Sequence, residues 1–317
     1  MVAKTQFSKE ELNKILVDYN LGQLKRSRPF KTGAVQTNIL LKTTKGKFVL
    51  RYYEHRSKKY VLFEVNILHY FYDRKYPCPT PIRNVHGDFI GKYKKKYYAI
   101  FDYVEGKHIK KPNKIQYHEL GKYLAKLHNI SKDYKPDYWE VRETKDKKFC
   151  FDTAKVESKR FKSKTKAKER LQILKKEINK VKLPGSLPKG VCHGDWDITN
   201  LKFESNKIVG VLDFDDACYT HLIFDVANFI YYWAWMRERK FNFVRARSLL
   251  KDYLKYRKLS ETEKKYLFDG IKMVIFTYMS WFFYEKYHGE DVFIKCLKRL
   301  EFLDSIGRDK FYQKLFG

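Results

Sequence analysis

The sequence predicts an α+β chain of two lobes: a small antiparallel-sheet lobe with one key helix over residues 1–104, and a larger, mainly helical lobe over 105–317. Three observations carry this. Residues 24–53 alternate in the period-two manner of strands, with Thr44-Lys45-Gly46 as a turn between two runs. Beyond Gly106 the apolar residues recur at helical spacing instead, as in Leu120, Tyr123, Leu124 and Leu127. A chain of 317 residues exceeds one small core and suits two, and 44% hydrophobic with 17% aromatic residues is the composition of a packed protein, not a disordered one.

Taken in order, Ser8 and Glu11 form a capping box ahead of Leu12, Ile15, Leu16 and Tyr19, a packing helix ending near Gly22. Strands follow over residues 35–43 and 47–53. Before them, Lys31-Thr32-Gly33-Ala34 is a glycine-bearing turn whose backbone N–H groups can approach phosphates, although an ordinary turn explains one glycine equally well. A helix over residues 59–75 carries Val61, Leu62, Val65, Leu68 and Phe71 on its apolar side. Pro77, Pro79 and Pro81 end it. Residues 82–104 read as a strand–turn–strand meander with the lysines 94–96 at a turn; His86-Gly87-Asp88 is a second turn. Residues 155–182 form one very basic helical stretch interrupted near 163–165, with Leu171, Leu174, Ile178 and Val181 kept for packing. Phe224 to Trp235 is an aromatic helix in which Tyr231, Trp233 and Trp235 either line an acceptor pocket or fill the core, the second being favoured. Ser260 and Glu263 make another capping box before a helix over 261–287, and a last helix covers 291–305.

The chemistry concentrates in residues 190–216, GVCHGDWDITNLKFESNKIVGVLDFDD. Ile208, Val209, Val211 and Leu212 are strand formers, and Ser205-Asn206-Lys207 is a turn before them. The resulting hairpin is expected to return Asp213 towards Asp195 and Asn200. Magnesium prefers oxygen donors and is held by one or two carboxylates plus substrate phosphates, which suits Asp213 and the amide oxygen of Asn200. Asp195 then stays off the metal to accept a hydrogen bond from an incoming hydroxyl. Protein kinases divide the labour in this way. A histidine-glycine-aspartate triplet alone is no more than a turn, as His86-Gly87-Asp88 illustrates with Tyr93 five residues on; the added Asn200 and Asp213 favour the chemical reading.

HGDWDITN followed by GVLDFDDACYTHLIFDVANF resembles the catalytic segment of the aminoglycoside phosphotransferase and choline kinase superfamily, whose fold is protein-kinase-like, and is most similar to its bacterial homoserine kinases. The resemblance implies ATP- and Mg2+-dependent phosphorylation of a small-molecule hydroxyl, homoserine or a similar amino alcohol first. Aminoglycoside or protein kinases of the same fold, and a non-catalytic coat-type or polyanion-binding member, stand as alternatives. It assigns Asp195 as base, Asn200 and Asp213 as magnesium ligands, His193 as a loop brace and Asp225 as a structural buttress. Thr37-Asn38 after Gly33 is similar to the family's Gly…Asn pattern, which places Gly33 and Asn38 at the nucleotide. Phe48-Val49-Leu50-Arg51 resembles the strand that offers a lysine to the phosphates, with Arg51 in that place and Glu64 as its partner. Phe101 to Gly106 resembles the segment joining the lobes, so that backbone groups of Asp102, Tyr103 and Val104 meet the adenine.

The net charge of +30 suits anionic substrates or a polyanion, but lysines occur in every segment and no nucleic-acid motif accompanies them, so dispersed surface charge is the favoured reading and nucleic acid is not indicated as a partner. The opening residues are polar and do not read as a signal peptide, and the most apolar stretch, 273–284, is short for a membrane span. Five scattered cysteines without a CxxC pair read as reduced thiols of a cytoplasmic protein, with no zinc expected.

Overall fold

A computed structural model describes residues 4–30, 35–236, 238, 240–284, 286–287 and 290–317. The chain runs through α1 (Lys9–Asp18), β1 (Leu24–Pro29), β2 (Thr37–Thr43), β3 (Lys47–Tyr52), α2 (Lys58–Asp73), β4 (Ile90–Tyr93) and β5 (Lys96–Asp102). It continues with α3 (Lys114–Ser131), α4 (Lys147–Ser158), α5 (Lys164–Lys180), β6 (Lys189–Cys192), β7 (Leu201–Glu204), β8 (Lys207–Val211) and β9 (Cys218–His221). Five helices follow: α6 (Ile223–Tyr231), α7 (Phe243–Leu254), α8 (Glu261–Trp281), α9 (Val292–Ile306) and α10 (Arg308–Phe316).

These elements form two compact units whose segments interleave along the chain. One comprises Met1–Pro112, Pro136–Arg142 and Ile198–Asp215; the other comprises Asn113–Lys135, Glu143–Asp197 and Asp216–Gly317. Two later segments, Pro136–Arg142 and Ile198–Asp215, thus belong to the sheet-bearing unit.

In that unit the five strands are ordered β1-β2-β3-β5-β4, with every pair antiparallel. Lys94 and Lys95, both left-handed (φ 46° and 67°), form the two-residue turn between β4 and β5, a geometry that matches strand twist. Strand alternation puts Ile39, Leu41, Leu50, Tyr52, Tyr98 and Ile100 on one face, where Leu12, Ile15 and Leu16 of α1 complete a core. Asn38, Arg51 and Ala99, aligned in register across β2, β3 and β5, take the opposite face. The capping box at Ser8 and Glu11 is formed. Strands β7 and β8 make a separate hairpin turned at Ser205, which is left-handed at φ 53°.

In the helical unit α8 packs against α4, α6 and α9, while α3 packs on α7. A Cβ on Gly121 would stand 2.8 Å from the Tyr253 backbone nitrogen, so glycine there lets α3 approach α7 closely. All nine residues of α6 are buried, in keeping with a sequence whose polar interruptions are Asp225 and Asn228.

Several sequence expectations need correction here. The basic stretch 155–182 is parts of two helices, α4 and α5, because Ser163 caps a new start. Tyr231, Trp233 and Trp235, by contrast, are 4% exposed or less, in line with the favoured reading that they fill the core. Helix α8 ends at Trp281, short of residue 287, and α10 was not foreseen. Among the described residues no helix is long and apolar enough to cross a membrane, and the five cysteines are buried with none in a disulfide.

Candidate functional site

In the sheet-bearing unit, β3 and α2 bring a cation and a carboxylate together in the interior. Arg51 Nε lies 3.5 Å from Glu64 Oε1, and the two side chains are only 12% and 2% exposed. Burial pushes the Glu64 carboxyl up from its ordinary range, against the pull of Arg51 and Arg142. The guanidinium also reaches Asp213 Oδ1 and Asp215 Oδ1, each at 3.3 Å. Asp215 is further paired with Arg56 at 3.0 Å, and its main-chain oxygen accepts hydrogen bonds from Tyr60 Oη (2.8 Å) and Arg142 Nη1 (2.6 Å). Burial opposes ionisation of Asp215, yet the arginines outweigh it and hold its carboxyl below the usual range.

Asp213 differs from its neighbours because half of its side chain is exposed. Its φ of 61° is left-handed, a conformation that Asp tolerates better than most residues. The Leu212 N–H donates to the Asn200 carbonyl at 2.7 Å, which ties the two ends of the β7–β8 hairpin and brings Asn200 beside the residue preceding Asp213. Asn38 lies opposite Arg51 in the β2–β3 register, on the face that carries the guanidinium. Gly33 and the turn over residues 31–34 lie outside the described residues.

The segment after β5 is fastened to the same hairpin. Gly106, at φ +99°, would place a Cβ 2.7 Å from Val209, and a Cβ on Gly210 would stand 2.4 Å from Val104 Cγ1; both glycines therefore permit a close backbone approach. Lys202 Nζ donates to the Val104 carbonyl at 2.6 Å. The N–H groups of Asp102 and Tyr103 are taken by Thr80 and Lys47 carbonyls, and the Asp102 carboxylate accepts from the Thr80 N–H. None of these bonds uses the Asp102 carbonyl or the Val104 N–H.

In the helical unit, β6 delivers His193-Gly194-Asp195 into a turn braced from α6. Asp225 Oδ2 accepts the His193 N–H at 2.6 Å and Oδ1 accepts the Gly194 N–H at 3.0 Å. Asp225 is fully buried; burial raises its pKa, but the hydrogen bonds and neighbouring imidazoles outweigh this and hold the carboxyl low. Behind it, burial pushes the His128 imidazole down, so it stays neutral. Its Nε2 then donates to Asp225 (3.3 Å) while Nδ1 accepts from Tyr253 Oη (2.7 Å). Arg257 donates to that hydroxyl and to Glu263, continuing the brace.

Closer to the turn, His193 Nδ1 accepts the Asp195 N–H at 3.2 Å. Lys145, 3% exposed, donates to the Gly194 carbonyl at 3.2 Å and sits 5.0 Å from the centre of the Trp281 ring. Burial works against its charge, yet Asp216, Cys218, Asp225 and Asp195 together raise its pKa, so an ammonium is held beside the turn. Gly194 is left-handed at φ +79°, and a Cβ there would meet Asp216 O at 2.5 Å and Lys145 Nζ at 2.7 Å. No other residue type fits this position.

Sequence reasoning reached Arg51, Glu64, Asp213, Asn200 and Asp225, and missed Arg56, Arg142, Lys145 and any role for Asp215. The missed residues carry no motif. Arg142 and Lys145 come from an irregular stretch and meet residues 78 and 49 positions away.

A five-stranded antiparallel sheet with one helix whose buried glutamate holds a strand cation, and a separate helical unit presenting a braced His-Gly-Asp turn, define a kinase-like chain. Comparison with known proteins agrees. A model described as the phosphotransferase enzyme family matches residues 26–259. A homoserine kinase of Parvibaculum lavamentivorans is 29% identical over 266 residues, covering 83% of this chain and 81% of its own. One from Nitrobacter winogradskyi is 30% identical over 274 residues, covering 83% and 80%. Among solved structures, an amicoumacin kinase in complex with AMP-PNP, Ca2+ and Ami superposes with a TM-score of 0.69 at 16% identity, covering 93% of each chain. A microcompartment-associated aminopropanol kinase gives 0.61 at 13%, covering 93% and 94%. The chain belongs to the phosphotransferase enzyme family: it is a kinase that phosphorylates a hydroxyl group.

Proposed function

We propose that this kinase uses ATP and magnesium to phosphorylate the hydroxyl of homoserine or a similar amino alcohol. The observation that carries the nucleotide part is the buried Glu64 holding Arg51, with Asp213 in reach of the same guanidinium. An ATP analogue bound to a structural neighbour supports it. The acceptor follows the homoserine kinases that match over most of the chain.

The donor set fits magnesium. Asp213 offers a half-exposed carboxylate and Asn200 an amide oxygen; these hard oxygen donors leave coordination positions for water and phosphate. When bound there, the ion would neutralise charge on the phosphate oxygens. Arg51, oriented by Glu64, neutralises further phosphate charge; Arg differs from the lysine usual at this position in offering a planar fork. The Asp102 carbonyl and Val104 N–H supply an acceptor and a donor for the edge of a base. In this reading Asp195 orients the acceptor hydroxyl and takes its proton at a carboxylate oxygen as the bond to phosphorus forms. Asp195 is among the acids that keep the buried Lys145 charged, and His193 and Asp225 keep the turn in shape.

The test is ADP release by the full chain with ATP and Mg2+, against homoserine, other amino alcohols, choline and aminoglycosides. Homoserine or a close relative should be the preferred acceptor, and Asp195→Ala should lower turnover about a hundred- to ten-thousandfold while still binding nucleotide. Turnover confined to aminoglycosides would reassign the acceptor. An Asp195→Ala enzyme as fast as wild type would contradict the assignment of the base.

A further inference from the structure

After α3 the chain leaves the helical unit for seven residues, Pro136–Arg142, which belong to the sheet-bearing unit, and returns at Glu143. Tyr138, left-handed at φ 60°, opens a short 3-10 turn over Trp139–Val141, and that turn packs beside α2. Arg142 is the last residue of the excursion. Its guanidinium carbon lies 3.6 Å from the centre of the Tyr60 ring and 4.6 Å from that of Phe63, so two α2 aromatics fix its plane. Nη1 donates to the Asp215 carbonyl at 2.6 Å, and Nη2 stands 3.8 Å from Glu64 Oε2.

Glu64 thus has a cation on each side, Arg51 near Oε1 and Arg142 near Oε2, at ion-pair and not hydrogen-bond distance, and neither the Arg142 nor the Glu64 side chain is more than 2% exposed. A buried carboxylate with one cation at 3.5 Å and no second would be poorly compensated. Arg51, Arg56 and Arg142 face Glu64, Asp213 and Asp215, three charges of each sign. From this geometry we infer that Arg142 is a positioning residue for nucleotide binding, setting Arg51 through Glu64 and anchoring the segment after Asp213 through the Asp215 carbonyl. The inference rests on the proposed nucleotide role of Arg51. It also accounts for the excursion, which carries a second cation to a carboxylate that β3 supplies with only one, Arg51.

The test is calorimetric binding of AMP-PNP with Mg2+ to the full chain, beside steady-state kinetics, for wild type, Arg142→Met, Arg142→Lys, Glu64→Gln and the double variant Arg142→Met/Glu64→Gln. Arg142→Met should weaken AMP-PNP binding about ten- to a hundredfold and raise the nucleotide KM, leaving the acceptor KM unchanged, with Arg142→Lys recovering part of the loss. Because both residues act through one contact, the double variant should bind within about threefold of the weaker single variant. Arg142→Met binding AMP-PNP as wild type does, or single losses that multiply fully in the double variant, overturns the inference. If Arg142→Met does not fold, Arg142→Lys decides: it keeps the charge but cannot serve Asp215 and Glu64 together, and undiminished binding by it has the same force. Wild type that fails to bind AMP-PNP overturns the proposed function as well, whereas equal binding by wild type and variant overturns only the role of Arg142.

Discussion

Replacing Asp225 by asparagine tests the brace of the His193–Gly194 turn with almost no change of volume. The carboxylate accepts two backbone N–H groups, one on each oxygen, and an imidazole N–H. Asparagine has one acceptor oxygen, so whichever way the amide turns, one backbone N–H faces an NH2 donor in the interior. A buried donor left unsatisfied costs about 1–3 kcal/mol, and the remaining bond falls from charge-assisted to neutral strength, about 1 kcal/mol more. The sum is about 3 kcal/mol. At roughly 2–4 °C per kcal/mol, the melting temperature should fall about 6–12 °C. Turnover should fall with it, because the turn carries Asp195, while binding of nucleotide should be affected less. Circular-dichroism melts at neutral pH together with single-turnover assays give both readouts. A variant that melts within about 1 °C of wild type would show that Asp225 does not hold the turn as its hydrogen bonds indicate.

Three further outcomes follow from the geometry. Gly194→Ala should abolish activity, since its Cβ collides with main chain at 2.5 Å; Gly87→Ala, equally left-handed at φ 85° but with nothing within 4 Å, should cost only about 1–2 kcal/mol of stability and leave turnover intact. Arg51→Lys replaces a fork that reaches Glu64, Asp213 and Asp215 with a single ammonium, and should weaken nucleotide binding about tenfold in titration calorimetry. Glu54 is buried, and burial opposes its charge, but Lys96 (2.6 Å), Thr37 (2.6 Å) and Thr5 hold its pKa down to about 2 from an ordinary 4.5. Its stabilisation is complete above about pH 4.5 and is lost as pH falls through about 2. Glu54→Gln should therefore destabilise by about 2 kcal/mol at pH 7 and by almost nothing near pH 2, as read from urea unfolding at several pH values.

Much of the fold is legible because it is local. The capping boxes at Ser8 and Ser260 are four-residue patterns, and both form as their spacing indicates. The alternation of residues 24–53 marks the sheet because one face packs on the α1 core while the other carries polar side chains such as Asn38 and Arg51. The boundary between α4 and α5 was blurred because lysine-rich helix surfaces continue through it, leaving Ser163 as the sole sign of a new cap. For the aromatic residues of α6 and the turn after it, sequence favours the core over a pocket without excluding the pocket, since both environments select large flat side chains. The π-helical turn at Tyr232–Met236 puts Trp233 and Trp235 inside.

Sequence by itself determined Asn200 and Asp213 at the ends of one hairpin, because a turn between two strand runs is a local pattern, and its resemblance to a known family implied Arg51 with Glu64 and Asp225 behind the His-Gly-Asp turn. What only the tertiary structure decided is how those residues are held. A seven-residue excursion brings Arg142 against Glu64, and Lys145 lies buried against the Gly194 carbonyl. The physical reason is that a buried charge needs a partner close in space, and the chain can supply it from any position at which its backbone passes.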